Sequence, residues 1–280
     1  MRALLLPLLL CVPALAAQTD DFGPPNPPEP DKALAMIARH KGRYQEYRSR
    51  GELIVEVRLE SGKVTDADVA LLKHLPSLRR LSLQSDLVTD AGLRHFRWFN
   101  DLRELHLCCK AITNAGVEEL AALKDLEQLG LWAPEVDDDG VRHLGKLKGL
   151  KHLLFHCPKL TNEGMASLKG LTDLESLRLD GGHVRNDGLK ALAGMRRLRN
   201  LDLSNTEVMD KGMEHLKKLD ELQILGLSDT GISDEGLVPL RDLKHLQILH
   251  VSRTSVTQAG AAALEKAIPG LKVIGARRPE

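Results

Sequence analysis

The side chains with chemical potential in this chain fall at a regular spacing. His106 and Cys108 stand two residues apart, Trp132 lies 24 beyond Cys108, and His156 lies 24 beyond Trp132, with Leu154 two before it. Imidazole and thiolate are the donors that hold zinc or copper, and a histidine beside a thiol or hydroxyl is the start of a nucleophilic pair. On a strand, His106 and Cys108 point the same way about 7 Å apart, but His156 then lies two strands over with Trp132 between. There is no Cys-x-x-Cys pair, and no closed set of metal ligands follows from the spacing. Ser252 and His250 share a strand face without an acidic group to orient the imidazole, so one of the three roles of a triad is missing. With no Gly-rich phosphate loop and no Gly-x-Ser-x-Gly turn either, the sequence points to no catalytic residue, metal or cofactor. Metal or enzyme chemistry at the His/Cys cluster is the rival reading.

The leading reading is recognition. His106, Cys108, Trp132, Leu154 and His156 form a soft, largely apolar cluster on a face that otherwise carries charges and small polar groups. Gly130 beside Trp132 leaves the indole uncrowded, and a Trp at the centre of a concave surface is a common anchor for a protein or peptide partner. The competing view is that Trp132 lies flat on its neighbours. Trp98 is a second candidate. Its helix turns Phe96 and Phe99 inward, which leaves Trp98 outward, as a contact patch or as cover for the next helix.

These positions are set by a repeat. Leu78, Leu81, Leu83, Val88, Thr89, Asp90, Gly92 and Leu93 recur 24 residues on as Leu102, Leu105, Leu107, Ile112, Thr113, Asn114, Gly116 and Val117, and again from Leu126. Units begin at Ile54 and every 24 residues to Leu246, which makes nine over 54–269. A fixed period of this size marks a solenoid. Alternating Leu in the first part of each unit gives a strand with one buried face. Parallel strands need a crossover, and the second part supplies it as a helix. Thr-Asp or Thr-Asn starts that helix, the hydroxyl accepting from a free N–H and the carboxylate lying at the positive end of the dipole. Glycine recurs in the first turn, at Gly92, Gly116, Gly140 and onward to Gly260, despite costing about 1 kcal/mol against Ala. That repetition implies close helix-to-backbone packing. Asp68 takes the position in the first unit, as fits an edge with no neighbour before it.

The pattern L-x-x-L-x-L-x-x-x-x-V-T-D-x-G-L-x-x-L-x-x-L resembles the leucine-rich repeat, in the short 24-residue form of secreted planctomycete proteins, and is similar to the ribonuclease-inhibitor and F-box-associated classes. The resemblance implies an α/β solenoid, with a curved parallel β-sheet on the concave side and helices on the convex side. It also implies a protein-binding scaffold. A ubiquitin-ligase substrate receptor, suggested by the F-box-associated likeness, is disfavoured by the absence of F-box-like helices before the repeats and by an export signal.

That signal is Met1-Arg2 followed by the apolar run Ala3 to Leu15 and the small-x-small site Ala14-Leu15-Ala16, which predicts a signal peptide over 1–16 and an extracytoplasmic mature chain. Residues 17–30, with Pro24, Pro25, Pro27, Pro28 and Pro30, read as an extended linker. Residues 31–53 read as an N-terminal cap, with a short helix over Asp31 to Lys41 and a strand over Arg43 to Arg48, and 270–280 as a C-terminal cap and tail. Lys and Arg number 39 against 39 Asp and Glu with no basic stripe, which argues against a nucleic-acid partner. No mature segment is apolar enough to span a membrane, and a monomer is expected. Cys108, Cys109 and Cys157 are expected to be free thiols, because two repeats set alpha carbons roughly 10 Å apart, beyond disulfide reach. Alternating charges at the position after the first Leu (Arg103, Glu127, Lys151, Glu175, Arg199) are expected to compensate one another across strands.

Overall fold

The computed structural model describes residues 30–49, 52–75 and 77–277. The expected signal peptide, all of the expected linker except Pro30, and the last three residues lie outside them. The leucine periodicity folds as an open sheet of eleven strands in strict sequence order. Pro30 opens the first helix, α1 (Pro30–Arg39), which buries Ala33, Met36 and Ile37. Strand β1 (Arg43–Ser49) pairs antiparallel with β2 (Glu52–Gly62), and every later pairing is parallel. The antiparallel first strand ends the solenoid's repeat geometry, so the cap differs in kind from the units it covers.

From β2 the register advances one repeat per strand. Leu81, Leu105, Leu129, Leu153 and Leu177 stand side by side on β3 (Leu78–Ser85), β4 (Glu104–Cys108), β5 (Gln128–Trp132), β6 (His152–His156) and β7 (Ser176–Asp180). All five leucines are buried in one apolar cluster running from Ala33 to Leu271. Strands β8 (Asn200–Asp202), β9 (Ile224–Gly226), β10 (Ile248–His250) and β11 (Lys272–Ile274) shorten to three residues. One position after the strands differs between the two halves. In the earlier units it is small and buried (Ser85, Cys109, Ala133, Cys157). Gly181 and Gly182 sit at positive φ, and from there the position is Asn205, Asp229 or Arg253 in the left-handed region. Thr206 and Thr230 then donate to Leu203 and Leu227 carbonyls at 2.6 Å, closing a turn. The odd cysteine count follows from the same position: Cys109 and Cys157 fill a slot that also takes serine and alanine, and all three described cysteines are free.

The helix starts hold a ladder between repeats. The N-cap hydroxyls behave as expected, Thr89 and Thr113 accepting from the N–H groups of Ala91 and Ala115. The carboxylate that follows lies in the first turn of its own helix and also bonds across the repeat boundary. Asp90 Oδ1 accepts from Thr113 N at 2.8 Å and Oδ2 from Thr113 Oγ1 at 2.6 Å, one repeat on. Asp66, Asp138, Asp210 and Asp234 do the same to Thr89, Thr161, Ser233 and Thr257. Where the next repeat has no hydroxyl, the residue is asparagine. Asn162 and Asn186 accept from Arg185 N and Met209 N, and Asn114 Nδ2 donates to Asp137. A carboxylate has two acceptors to satisfy. The amide needs only one, and it can donate to a facing carboxylate where a second Asp would repel it.

This ladder adds to the reason for the glycine. A Cβ at each of the eight glycines would overlap the Oδ1 of the preceding rung, as at Gly92 against Asp66, and at Gly140 and Gly236 it would also lie 3.2 Å from backbone of that rung. Asp68, in the same position of α2 (Asp66–Leu71), has no rung before it and reaches back to the cap. It accepts from Thr65 N at 2.9 Å and Thr65 Oγ1 at 2.8 Å, lies 3.0 Å from His40 Nε2, and pairs with Arg39. The two starts without a side-chain cap, Arg185 and Met209, lead into 3-10 helices over Asn186–Gly194 and Asp210–Leu216 rather than the α-turns that follow most capped starts.

Candidate functional site

Outward residues of the strands line up in three rows across the sheet. The middle row runs Arg58, Ser82, His106, Gly130, Leu154, Arg178, Asp202, and the row nearer the strand ends runs through Gln84, Cys108, Trp132, His156 and Asp180. Strand pleating alone turns them away from the core, since each alternates with a buried Leu, Phe or Val. All five residues of the sequence cluster line one depression of about 560 Å³, together with Glu60, Gln84, Arg178, Asp180, Asp202 and Asn205. A second depression of about 390 Å³ lies on the other side of the middle row and shares His106, Leu154, Arg178 and Asp202 with the first.

Within the larger depression Leu154 is 44% exposed, a large aliphatic side chain standing in solvent at the centre of the sheet. His106 leans across β5, where a Cβ at Gly130 would overlap its Nδ1, so the glycine makes room for the imidazole as much as for Trp132. Trp132 does not stand free. It is half-buried and stacked on His156, with ring centroids 5.8 Å apart and planes 14° from parallel. His156 Nδ1 in turn meets Asp180 Oδ2 at 3.2 Å. An ionised carboxylate only accepts, so Nδ1 carries the proton in this contact. The row is thus a fixed stack, Trp132 on His156 on Asp180, assembled by the 24-residue step.

Cys108 is half-buried beside Trp132. Burial, and then the charge of Asp86, raises its thiol pKa, the direction opposite to that of an activated nucleophile. Burial likewise pushes the thiols of Cys109 and Cys157 up to about 11. Arg178 Nε donates to Asp202 Oδ2 at 2.9 Å. Burial opposes ionisation of Asp202, but the Ser204 hydrogen bonds and Arg178 outweigh it and hold the carboxyl below its ordinary range. His152 and His156 do stand four apart on β6, a His-x-x-x-His spacing, but they line different depressions. Among the described residues no three His, Cys, Asp or Glu side chains converge as metal ligands.

Trp98 is half-buried and packs against the core, which matches the covering alternative rather than an exposed contact patch. The expected charge ladder holds for Lys151 and Glu127 at 2.7 Å, but Arg103 turns to Asp125 at 3.5 Å and Arg199 to Glu221 at 3.2 Å. Those partners lie in the loops entering the next strands, nearer to the long arginine side chains than the neighbouring strand position. Sequence reasoning also gave no role to Asp180, Arg178 and Asp202; each lies one 24-residue step from a group it pairs with, and that step was the available signal.

An open, sequentially ordered parallel sheet with a leucine core and helical crossovers defines a leucine-rich repeat protein. A leucine-rich repeat family model matches residues 170–193 and 222–240. Among solved structures, internalin C2 from Listeria monocytogenes is 21% identical over 90% of this chain and 94% of its own, with a TM-score of 0.55. A leucine-rich repeat protein from Leptospira interrogans is 22% identical over 76% of this chain and 58% of its own, with a TM-score of 0.54. The plant peptide hormone receptor RGFR1, solved in complex with RGF2, is 18% identical over 83% of this chain and 36% of its own, with a TM-score of 0.51. Among curated proteins no significant sequence match is found. Folds of this class typically serve as protein-interaction scaffolds, and no helix among the described residues is long and apolar enough to cross a membrane.

Proposed function

We propose that this protein is an exported, non-enzymatic scaffold that binds a protein or peptide on its concave face, at the depression lined by His106, Cys108, Trp132, Leu154 and His156. One observation carries the reading: a large aliphatic residue, Leu154, is held exposed beside a half-buried aromatic stack at the centre of a sheet whose other outward positions are mostly polar. Apolar side chains left in solvent at the floor of a wide depression gain when a partner covers them. The peptide complex of the plant receptor with the same fold is in keeping with it. The extracytoplasmic location rests on the Met1–Ala16 segment, and N-terminal sequencing of the native protein is expected to begin near Ala17.

The binding test is capture from the native envelope fraction with the wild-type chain, Trp132→Ala and Trp98→Ala. Trp132→Ala is expected to weaken capture roughly 30-fold, the equivalent of about 2 kcal/mol for a buried aromatic anchor, with Trp98→Ala unaffected. Normal capture by Trp132→Ala with loss in Trp98→Ala would place the interface on the convex flank and end the proposal.

A further inference from the structure

The carboxylates of the larger depression are neutralised unevenly. Several carboxylates of this chain meet a lysine one repeat away: Asp86 meets Lys110 at 3.3 Å, Glu135 meets Lys159 at 2.9 Å and Glu127 meets Lys151. In the larger depression Asp202 has Arg178. Among the described residues Asp180 has no such partner. Its side chain is 53% exposed and meets only His156 at 3.2 Å and, at 3.5 Å, Asn205 Nδ2. Glu60, on the far rim, accepts from Ser82 Oγ at 3.3 Å. With histidines neutral, the depression therefore holds three carboxylates, Glu60, Asp180 and Asp202, against one arginine, Arg178.

We propose that the segment bound here is basic: an extended peptide that sets a lysine or arginine against Asp180 and an apolar neighbour on Leu154 and Trp132. This rests on the concave-face reading above and adds the chemistry of the partner. Charge complementarity argues for it, since an exposed carboxylate beside an apolar floor is matched by a side chain with an aliphatic stem and a cationic head. The stack supplies the geometry: Trp132 fixes His156, and the Nδ1–H of His156 fixes the carboxylate, so Asp180 is presented without first ordering a flexible side chain. The charge is also conditional. The groups facing the site are His106 and Cys108 on β4, His156 on β6, Arg178 and Asp180 on β7, Asp202 on β8 and Glu60 on β2. A cationic His156 would stand 3.2 Å from Asp180 and compete with the partner's own cation.

The experiment selects a displayed random nonapeptide library on the immobilised full chain at pH 7.5, with Trp132→Ala as counter-selection. A selected peptide is then titrated against the wild type, Asp180→Asn and Asp180→Glu. Selected sequences are expected to carry Lys or Arg next to an apolar residue. Asp180→Asn is expected to weaken the peptide about tenfold, with Asp180→Glu recovering part of the loss. Because Asp180 is exposed, an unchanged circular-dichroism melt of Asp180→Asn separates lost binding from lost fold. Trp132-dependent peptides that are acidic or uncharged, or that bind Asp180→Asn as they bind the wild type, overturn the basic partner and leave the concave site standing. Selection with no Trp132 dependence overturns both.

Discussion

Replacing Gly236 by alanine tests the ladder that holds the repeats together. Gly236 lies in the first turn of α7 (Asp234–Leu237), where a Cβ would sit 2.5 Å from Asp210 Oδ1. On helix propensity alone the change stabilises by up to about 1 kcal/mol. The carboxylate must instead move roughly 0.8 Å to restore van der Waals distance to the new methyl group. That oxygen accepts from Ser233 N at 2.7 Å, and its partner oxygen from Ser233 Oγ at 2.8 Å. Such a shift breaks both bonds, each worth about 1–2 kcal/mol when the acceptor is charged and partly exposed. The net expectation is about 2 kcal/mol of destabilisation.

Two further variants make this a cycle. Gly194→Ala is the control, because its nearest non-local neighbours, Lys169 O and Thr172 Cγ2, lie at 3.7 Å and the new methyl fits; it should be neutral or slightly stabilising. Asp210→Ala removes the rung itself and should cost about as much as Gly236→Ala. The double variant should cost no more than Asp210→Ala alone, a coupling of about 2 kcal/mol. Urea denaturation gives the four stabilities, and melting points should move by about 2–4 °C per kcal/mol. A solenoid can unfold in parts, so hydrogen exchange at the Ser233 amide supplies the local reading. A Gly236→Ala chain as stable as the wild type, or additive losses in the double variant, refutes the rung as the reason for the recurring glycine.

The remaining expectations concern the cap, the thiols and the uncapped repeats. Asp68→Ala should destabilise by about 2–3 kcal/mol, seen as early exchange in α1, because it strips the carboxylate shared by Thr65, Arg39 and His40. Burial opposes the ionisation of Asp68, but the Thr65 hydrogen bonds, Arg39 and His40 outweigh it, so its folded pKa is below the ordinary carboxylate value, as is that of Asp202. Their contribution is therefore complete above the ordinary range and is lost as pH falls through the lowered folded values, so urea midpoints should drop progressively below about pH 4 and less steeply in Asp68→Asn. Under native conditions Cys108 should be alkylated first and Cys109 and Cys157 only on unfolding; all three should react in denaturant, and fewer would mean a disulfide. Asn186→Asp with Met209→Thr should rebuild a rung and a cap and raise stability by about 1 kcal/mol, whereas Asn186→Asp alone should not.

The fold was legible because it is written in the residues that pack. Leucine at three positions of a 24-residue unit fixes strand, face and register together, and a slip of one residue would turn every leucine to solvent. What could not be read depends on contacts between units. The glycine rule was visible at Gly92 and Gly116, but its cause was not, because Asp66 and Asp90 lie in the previous repeat. The left-handed backbone at Asn205, Asp229 and Arg253 was not legible, because an arginine there gives no sequence warning.

The candidate site was legible in its membership and illegible in its chemistry, for one physical reason. Outward strand positions are released from packing, so the residues standing side by side follow from the register, and His106, Cys108, Trp132, Leu154 and His156 do share a depression. Which of two neighbours a polar side chain chooses is decided by rotamer and reach. Arg103 abandons Glu127 for Asp125, while Arg178 keeps Asp202. The same step of 24 joins His156 to Asp180 and Lys159 to Glu135, and in the sequence the two pairs look alike. They differ in that lysine is charged at any physiological pH and histidine is not. Once the pairs are assigned, Asp180 stands out as the carboxylate of this depression whose titratable partner is an imidazole already held by the indole of Trp132. Within this depression Arg178 matches Asp202 with a permanent cation while Asp180 faces an imidazole, and Asp180 is the position the proposed partner's cation would take.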